Sequence, residues 1–104
     1  MNRAQIIAAR IAALEAEAAR LAQYPETDPF ADGDAIMAEC TNEADNTYVY
    51  LYYRVNDRWC TTGSVPRPPR IWSELVAAWM SWRQVRVFKM KRGKELFTNA
   101  SDRP

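Results

Sequence analysis

Apolar and polar residues are arranged along this chain with three different periods. From Asn2 to about Gln23 the larger apolar side chains fall at Ile7, Ile11, Leu14, Ala18 and Leu21, in alternating steps of four and three. That spacing keeps them on one side of an α-helix. Alanine fills most of the remaining positions and raises the intrinsic helix propensity. Asn2 is a suitable N-cap, and Tyr24-Pro25 ends the segment because a residue before proline avoids the α region. Written as a heptad, the a positions are Ala4, Ile11 and Ala18, and the d positions are Ile7, Leu14 and Leu21. This is a coiled-coil seam of about three heptads. Arg10 and Glu15 flank it at g and e, where a parallel partner would pair them; in an antiparallel pair Arg10 meets Glu17 instead. A helix roughly 30 Å long is marginal in water unless its apolar side is covered. Either the chain's own sheet covers it or a second copy does, and we expect a second copy.

After a linker at 25–34, with two prolines and an Asp-Gly turn, the period falls to two. Phe30 is the linker residue expected to anchor onto the domain. Ala35 to Cys40 reads as a strand, Thr41 to Asn46 as a polar turn and Thr47 to Val55 as the clearest strand in the chain. The latter sends Thr47, Val49, Leu51, Tyr53 and Val55 to one face, and Tyr48, Tyr50, Tyr52 and Arg54 to the other. Asn56-Asp57 makes a tight hairpin into Arg58–Thr62. A proline-rich connection precedes a second helix, about Trp72 to Trp82, which is apolar around much of its circumference and therefore covered on more than one side. Val85 to Met90 alternates again as a last strand. The order predicts an α+β fold: a heptad-patterned helix, then a small antiparallel sheet of about four strands packed with one Trp-rich helix. The expected divisions are 1–24 helix, 25–34 linker, 35–97 compact domain and 98–104 flexible tail.

Composition narrows the function classes. Of the 104 residues, 48% are apolar and 12% aromatic, enough for a core. There is no apolar run near the ~18 residues of a membrane span. Arg3, Arg10, Glu15 and Glu17 interrupt what would otherwise resemble a secretory leader. We expect a cytoplasmic protein with no membrane partner. Histidine is absent, which removes the usual nucleophile pairs and the commonest general base. Cys40 and Cys60 fall short of a zinc ligand set and read as small reduced core residues. No catalytic, cofactor or metal site is expected, and the chain is read as a non-enzyme.

The net charge of +1 conceals an asymmetry. Residues 1–46 carry three arginines against nine acids, net −6; residues 47–104 carry eleven basic residues against four acids, net +7. Opposed halves suit charge matching within or between chains, and they also suit a polyanion. Arg83, Arg86, Lys89, Lys91, Arg92 and Lys94 are the candidate phosphate contacts, and Tyr48, Tyr50 and Tyr52 the candidate base-stacking residues. A lysine- and arginine-protected edge strand and an ordinary half-buried sheet face explain the same residues. Pro66-Arg67-Pro68-Pro69-Arg70 has a PxxP spacing and reads as a rigid connector.

With the alanine-rich heptad helix, Asp28-Pro29-Phe30, Trp59 ahead of a Thr-Gly turn, and the helix start Trp72-Ser73-Glu74-Leu75-Val76 in place, the chain resembles a class of small actinobacteriophage (mycobacteriophage-type) proteins to which no activity is assigned. The resemblance implies a phage-encoded accessory protein in a bacterial cytoplasm, with a host or phage protein as partner. It supplies no functional residues. From the residues themselves, the expected function is a self-associating interaction module, most simply a dimer, with Ala4, Ile7, Ile11, Leu14, Ala18, Leu21, Arg10 and Glu15 at the interface. The alternative is a nucleic-acid-binding accessory protein.

Overall fold

A computed structural model describes residues 2–62, 67–90 and 94–100. The elements run α1 (Arg3–Leu21), β1 (Ala35–Thr41), β2 (Thr47–Val55), β3 (Arg58–Thr61), α2 (Trp72–Met80), β4 (Gln84–Lys89) and β5 (Lys94–Ala100). The strands form one antiparallel sheet in the order β3-β2-β1-β4-β5. The α+β class stands as expected, with five strands where the sequence suggested about four. Among the described residues no helix is long and apolar enough to cross a membrane.

Local chemistry explains most boundaries. The Asn2 side chain accepts the Gln5 N–H at 2.9 Å, and the Gln5 side chain accepts the Asn2 N–H at 3.0 Å. This reciprocal cap starts α1. Asn56 and Asp57 both take positive φ, 50° and 61°, the conformation that lets a two-residue turn follow the twist of its strands. In the β1–β2 turn the Asn42 side chain accepts the N–H groups of Ala44 and Asn46, each at 3.0 Å. Glu74 accepts the Ile71 N–H at 3.0 Å and fixes the start of α2.

The core lies between the sheet and α2. Ile36, Ala38 and Cys40 of β1 and Val85 and Val87 of β4 are fully buried, beneath Trp72, Leu75, Val76 and Trp79 of α2. Trp79 is central, with ring contacts to Tyr24, Tyr52, Trp72 and Phe97. The second helix buries one face only: Ile71, Ser73, Glu74 and Ala77 are exposed. It also ends at Met80, short of the expected Trp82.

The segment at 25–34 is bound down along its length. Asp28 accepts the Trp59 indole N–H at 2.8 Å and the Arg54 Nε–H at 3.0 Å, and Pro25 O accepts the Trp72 indole N–H at 2.8 Å. Phe30 packs edge-on against Trp59 and also meets Trp72, as its expected anchoring role requires. Arg54 reaches Asp32 and Asp57 as well.

The tail expectation is corrected at its start. Thr98, Asn99 and Ala100 belong to β5, paired with Arg86, Val85 and Gln84, and Asn99 is fully buried. Polar residues that read as fraying are held there by pairing with β4 and by a side chain from α1. Residues 101–104 of the expected tail, Pro66, Lys91 and Arg92 lie outside the described residues, as does the Lys94 side chain.

Candidate functional site: the uncovered side of the first helix

The first helix is attached to the domain at its C-terminal turn. Within α1 only Arg20 is buried. Its Nη groups donate to the carbonyls of Met80, at 3.0 Å, and Trp79, at 3.3 Å; its Nε donates to Asn99 Oδ1. The Asn99 amide donates in turn to the Arg20 carbonyl. One guanidinium thus joins the end of α1, the end of α2 and the edge strand β5. A cation at the last carbonyls of α2 also faces the negative end of that helix's dipole. Just beyond α1, Tyr24 is buried against Trp79 and Phe97.

In the heptad Arg20 is a c position. At 100° per residue it points about 130° away from the middle of the a/d seam. The anchor therefore holds the helix by its back and leaves the seam in solvent. Exposure bears this out: Ile7 56%, Ile11 51%, Leu14 65% and Leu21 50%. Ala4, Ala18, Arg10 and Glu15 are exposed too. The alternative in which the seam folds back on its own sheet is not adopted. Among the described residues Arg10, Glu15 and Glu17 have no ion-pair partner in their own chain.

At its C-terminal end the seam runs into a groove of about 670 Å³ between α1 and α2. Ala18 and Leu21 form one wall, Trp72, Val76 and Ala77 the other, and Tyr24 lies between them. The sheet face opposite α2 is also uncovered, with Val49, Leu51, Tyr53 and Val55 of β2 exposed.

Of the residues proposed for nucleic acid, the described ones are Tyr48, Tyr50, Tyr52, Arg83, Arg86 and Lys89, and each has its own surroundings. Tyr52 is a core residue, its ring edge-on to Trp79, and burial raises its phenol above the ordinary range. It cannot stack a base. Tyr48 and Tyr50 remain accessible in part and pack on Trp82. Arg83 is seated on Asp45, Arg86 between Glu39 and Glu95, and Lys89 beside Asp34 at 3.8 Å. Arginines that sequence reasoning passed over stand nearer the tyrosines. Arg67 and Arg70 border a cleft of about 190 Å³ whose walls include Tyr50, Tyr52, Trp79 and Trp82, with no acid among the described residues of its lining.

Cys40 and Cys60 are both free thiols. Burial pushes the Cys40 thiol up to about 12, far from a reactive thiolate. Among the described residues no cluster of three or more potential metal ligands occurs.

Sequence reasoning missed the pair Arg20–Asn99. One signal was present, since Arg20 is the only charge in the last turn of an alanine helix. Its partner, 79 positions away, carried none. Known proteins add nothing to this picture: no family model, no curated protein and no solved structure matches the chain.

Proposed function

We propose that this chain is a non-enzymatic protein–protein interaction module that self-associates through α1. Its place as a phage-encoded accessory protein, working in a bacterial cytoplasm on a host or phage partner, is carried by the sequence resemblance alone. The observation behind self-association is the exposed seam. Four large aliphatic side chains at a and d positions stand half or more in water, on a helix whose one buried residue, Arg20, is on the other side. Burying them stabilises association by roughly 25 cal/mol per Å² of apolar surface removed from water. Arg10 and the acids that flank the seam supply the charge matching that a second copy requires.

Sedimentation equilibrium across the micromolar range tests the reading. The wild-type chain should reach the mass of a dimer, and Leu14→Asp should hold it at monomer mass with the sheet still folded by circular dichroism. A wild type that stays monomeric at high micromolar concentration refutes self-association.

One observation favours a second reading, the cleft between Tyr50, Trp82, Arg67 and Arg70, with no acid among its described residues. Aromatic walls beside guanidinium groups suit an unpaired base and its phosphate. Salt-sensitive binding of an oligothymidylate, lost in Arg67→Glu/Arg70→Glu, would support this reading. Absence of any binding at low salt would end it.

A further inference from the structure

The way in which two copies meet is written into the seam and the groove at its end. Taking self-association through α1 as given, we infer that the two helices pair antiparallel about a two-fold axis, with each partner's N-terminal turn entering the groove between α1 and α2.

Side-chain volume chooses this direction. In a parallel pair every layer matches a residue with itself, so Ala4 and Ala18 each face their own copy. The intervening isoleucine and leucine layers set the helix separation, and the two alanine layers are left underfilled. Voids of that kind lose packing energy. In an antiparallel pair the layers become Ala4 with the partner's Leu21, Ile7 with the partner's Ala18, and Ile11 with the partner's Leu14, each occurring twice by symmetry. Four of the six layers then match small against large, and the central two join residues of equal size. Interdigitated large and small side chains fill an interface evenly.

Charge permits both directions and so does not decide between them. Parallel pairing sets Arg10 near the partner's Glu15, and antiparallel pairing sets it near the partner's Glu17. All three residues lack an ion-pair partner among the described residues of their own chain.

The groove decides with the volumes. It begins where Ala18 and Leu21 end the seam and continues onto Trp72, Val76 and Ala77. A helix laid antiparallel along the seam brings its first turns, with Ala4 and Ile7, to that wall. Its apolar contact then extends beyond three heptads onto the second helix. In the parallel arrangement the groove meets the partner's own last turn and Pro25, where two domains compete for the same end of the helix pair. The groove is thus part of the same interface, and its occupant is a second copy of this chain.

Cysteine cross-linking separates the outcomes. In a Cys60→Ser background, Ala4→Cys and Leu21→Cys are prepared singly and then mixed under mild oxidation. Antiparallel pairing predicts a covalent dimer in the mixture and none with either variant alone, since two copies of position 4 lie about 26 Å apart along the axis. Self-linking by each single variant, with no mixed product, overturns the orientation but leaves self-association standing. A monomeric parent overturns both. The groove is tested by Ala77→Lys, an exposed position on α2 that lines it. It should weaken dimerisation at least tenfold with an unchanged circular dichroism spectrum, and unchanged affinity would remove the groove from the interface.

Discussion

The two helices of this molecule are held in opposite ways. α2 is nine residues long and buries four of them, Trp72, Leu75, Val76 and Trp79. α1 is nineteen residues long and buries one, Arg20. A nine-residue helix has no stability of its own and exists because the sheet and the aromatic cluster hold it. α1 relies instead on alanine propensity and a reciprocal cap, with one arginine for attachment. The contrast separates two kinds of apolar surface: the core that makes the fold, and a seam the fold carries but does not use. A side chain in the second category is available to another molecule.

The sharpest way to break this contrast is to truncate one large apolar side chain in each helix. Trp79→Ala removes the ring at the centre of four aromatic contacts and should cost about 3–5 kcal/mol. That is a large share of the stability of a domain this size, and chemical denaturation should show a much lower midpoint or no folded baseline. Ile11→Ala should shift the same midpoint by less than about 0.5 kcal/mol, as for other surface changes, while weakening association. Equal losses in both variants would mean that α1 is packed on its own domain after all.

Arg20→Ala addresses the joint between the two regions. It takes the guanidinium donor from Asn99 Oδ1 and the Met80 carbonyl in a buried place, while the Trp79 carbonyl keeps the Trp82 N–H, at a cost of about 2–4 kcal/mol. Limited proteolysis should then cut between α1 and the sheet faster than in the wild type, with the sheet itself surviving as a resistant core. Arg20→Lys should recover only part of the loss, because an ammonium cannot reproduce the fork that reaches Asn99 and two carbonyls together. Full recovery by lysine would reduce the joint to simple charge placement at the end of α2.

What could be read from the sequence was decided by range. The period of Ile7, Ile11, Leu14 and Leu21, the alternation in Thr47–Val55 and the Asn56-Asp57 turn each depend on neighbours a few residues apart, and each stands in the structure as read. β5 was not read at all, because Thr98-Asn99 looks polar until Arg20 arrives from the other end of the chain. The linker looked loose for the same reason: Asp28 becomes structural only when β2 and β3 bring Arg54 and Trp59 to it. The candidate interface was legible because a seam left uncovered owes nothing to distant residues. The nucleic-acid candidates were less so, since alternation shows that Tyr48, Tyr50 and Tyr52 share a face but not that α2 covers only the last of them.

The smallest expected effect lies where α1 hands over to the domain. The Tyr24 hydroxyl is buried with no hydrogen-bond partner among the described residues. Burial holds its phenol well above the ordinary 10.0, against the opposing influence of Arg20. Tyr24→Phe keeps the ring contacts with Trp79 and Phe97 and removes the stranded oxygen, so at pH 7 it should raise stability by up to about 1 kcal/mol. The variant also acts on the alkaline limb. Tyr24, Tyr52 and Cys40 all keep their protons in the folded chain beyond the pH at which the unfolded chain gives them up, ordinarily 10.0 for the phenols and 9.0 for the thiol. Their contribution is therefore complete below pH 9 and is lost as pH rises, each group costing about 1.4 kcal/mol per pH unit once its unfolded form ionises. Above pH 10 the wild type should lose stability more steeply than Tyr24→Phe by that amount per unit. Parallel alkaline limbs in the two proteins would show that water reaches Tyr24 and that the junction of α1 with the domain is open.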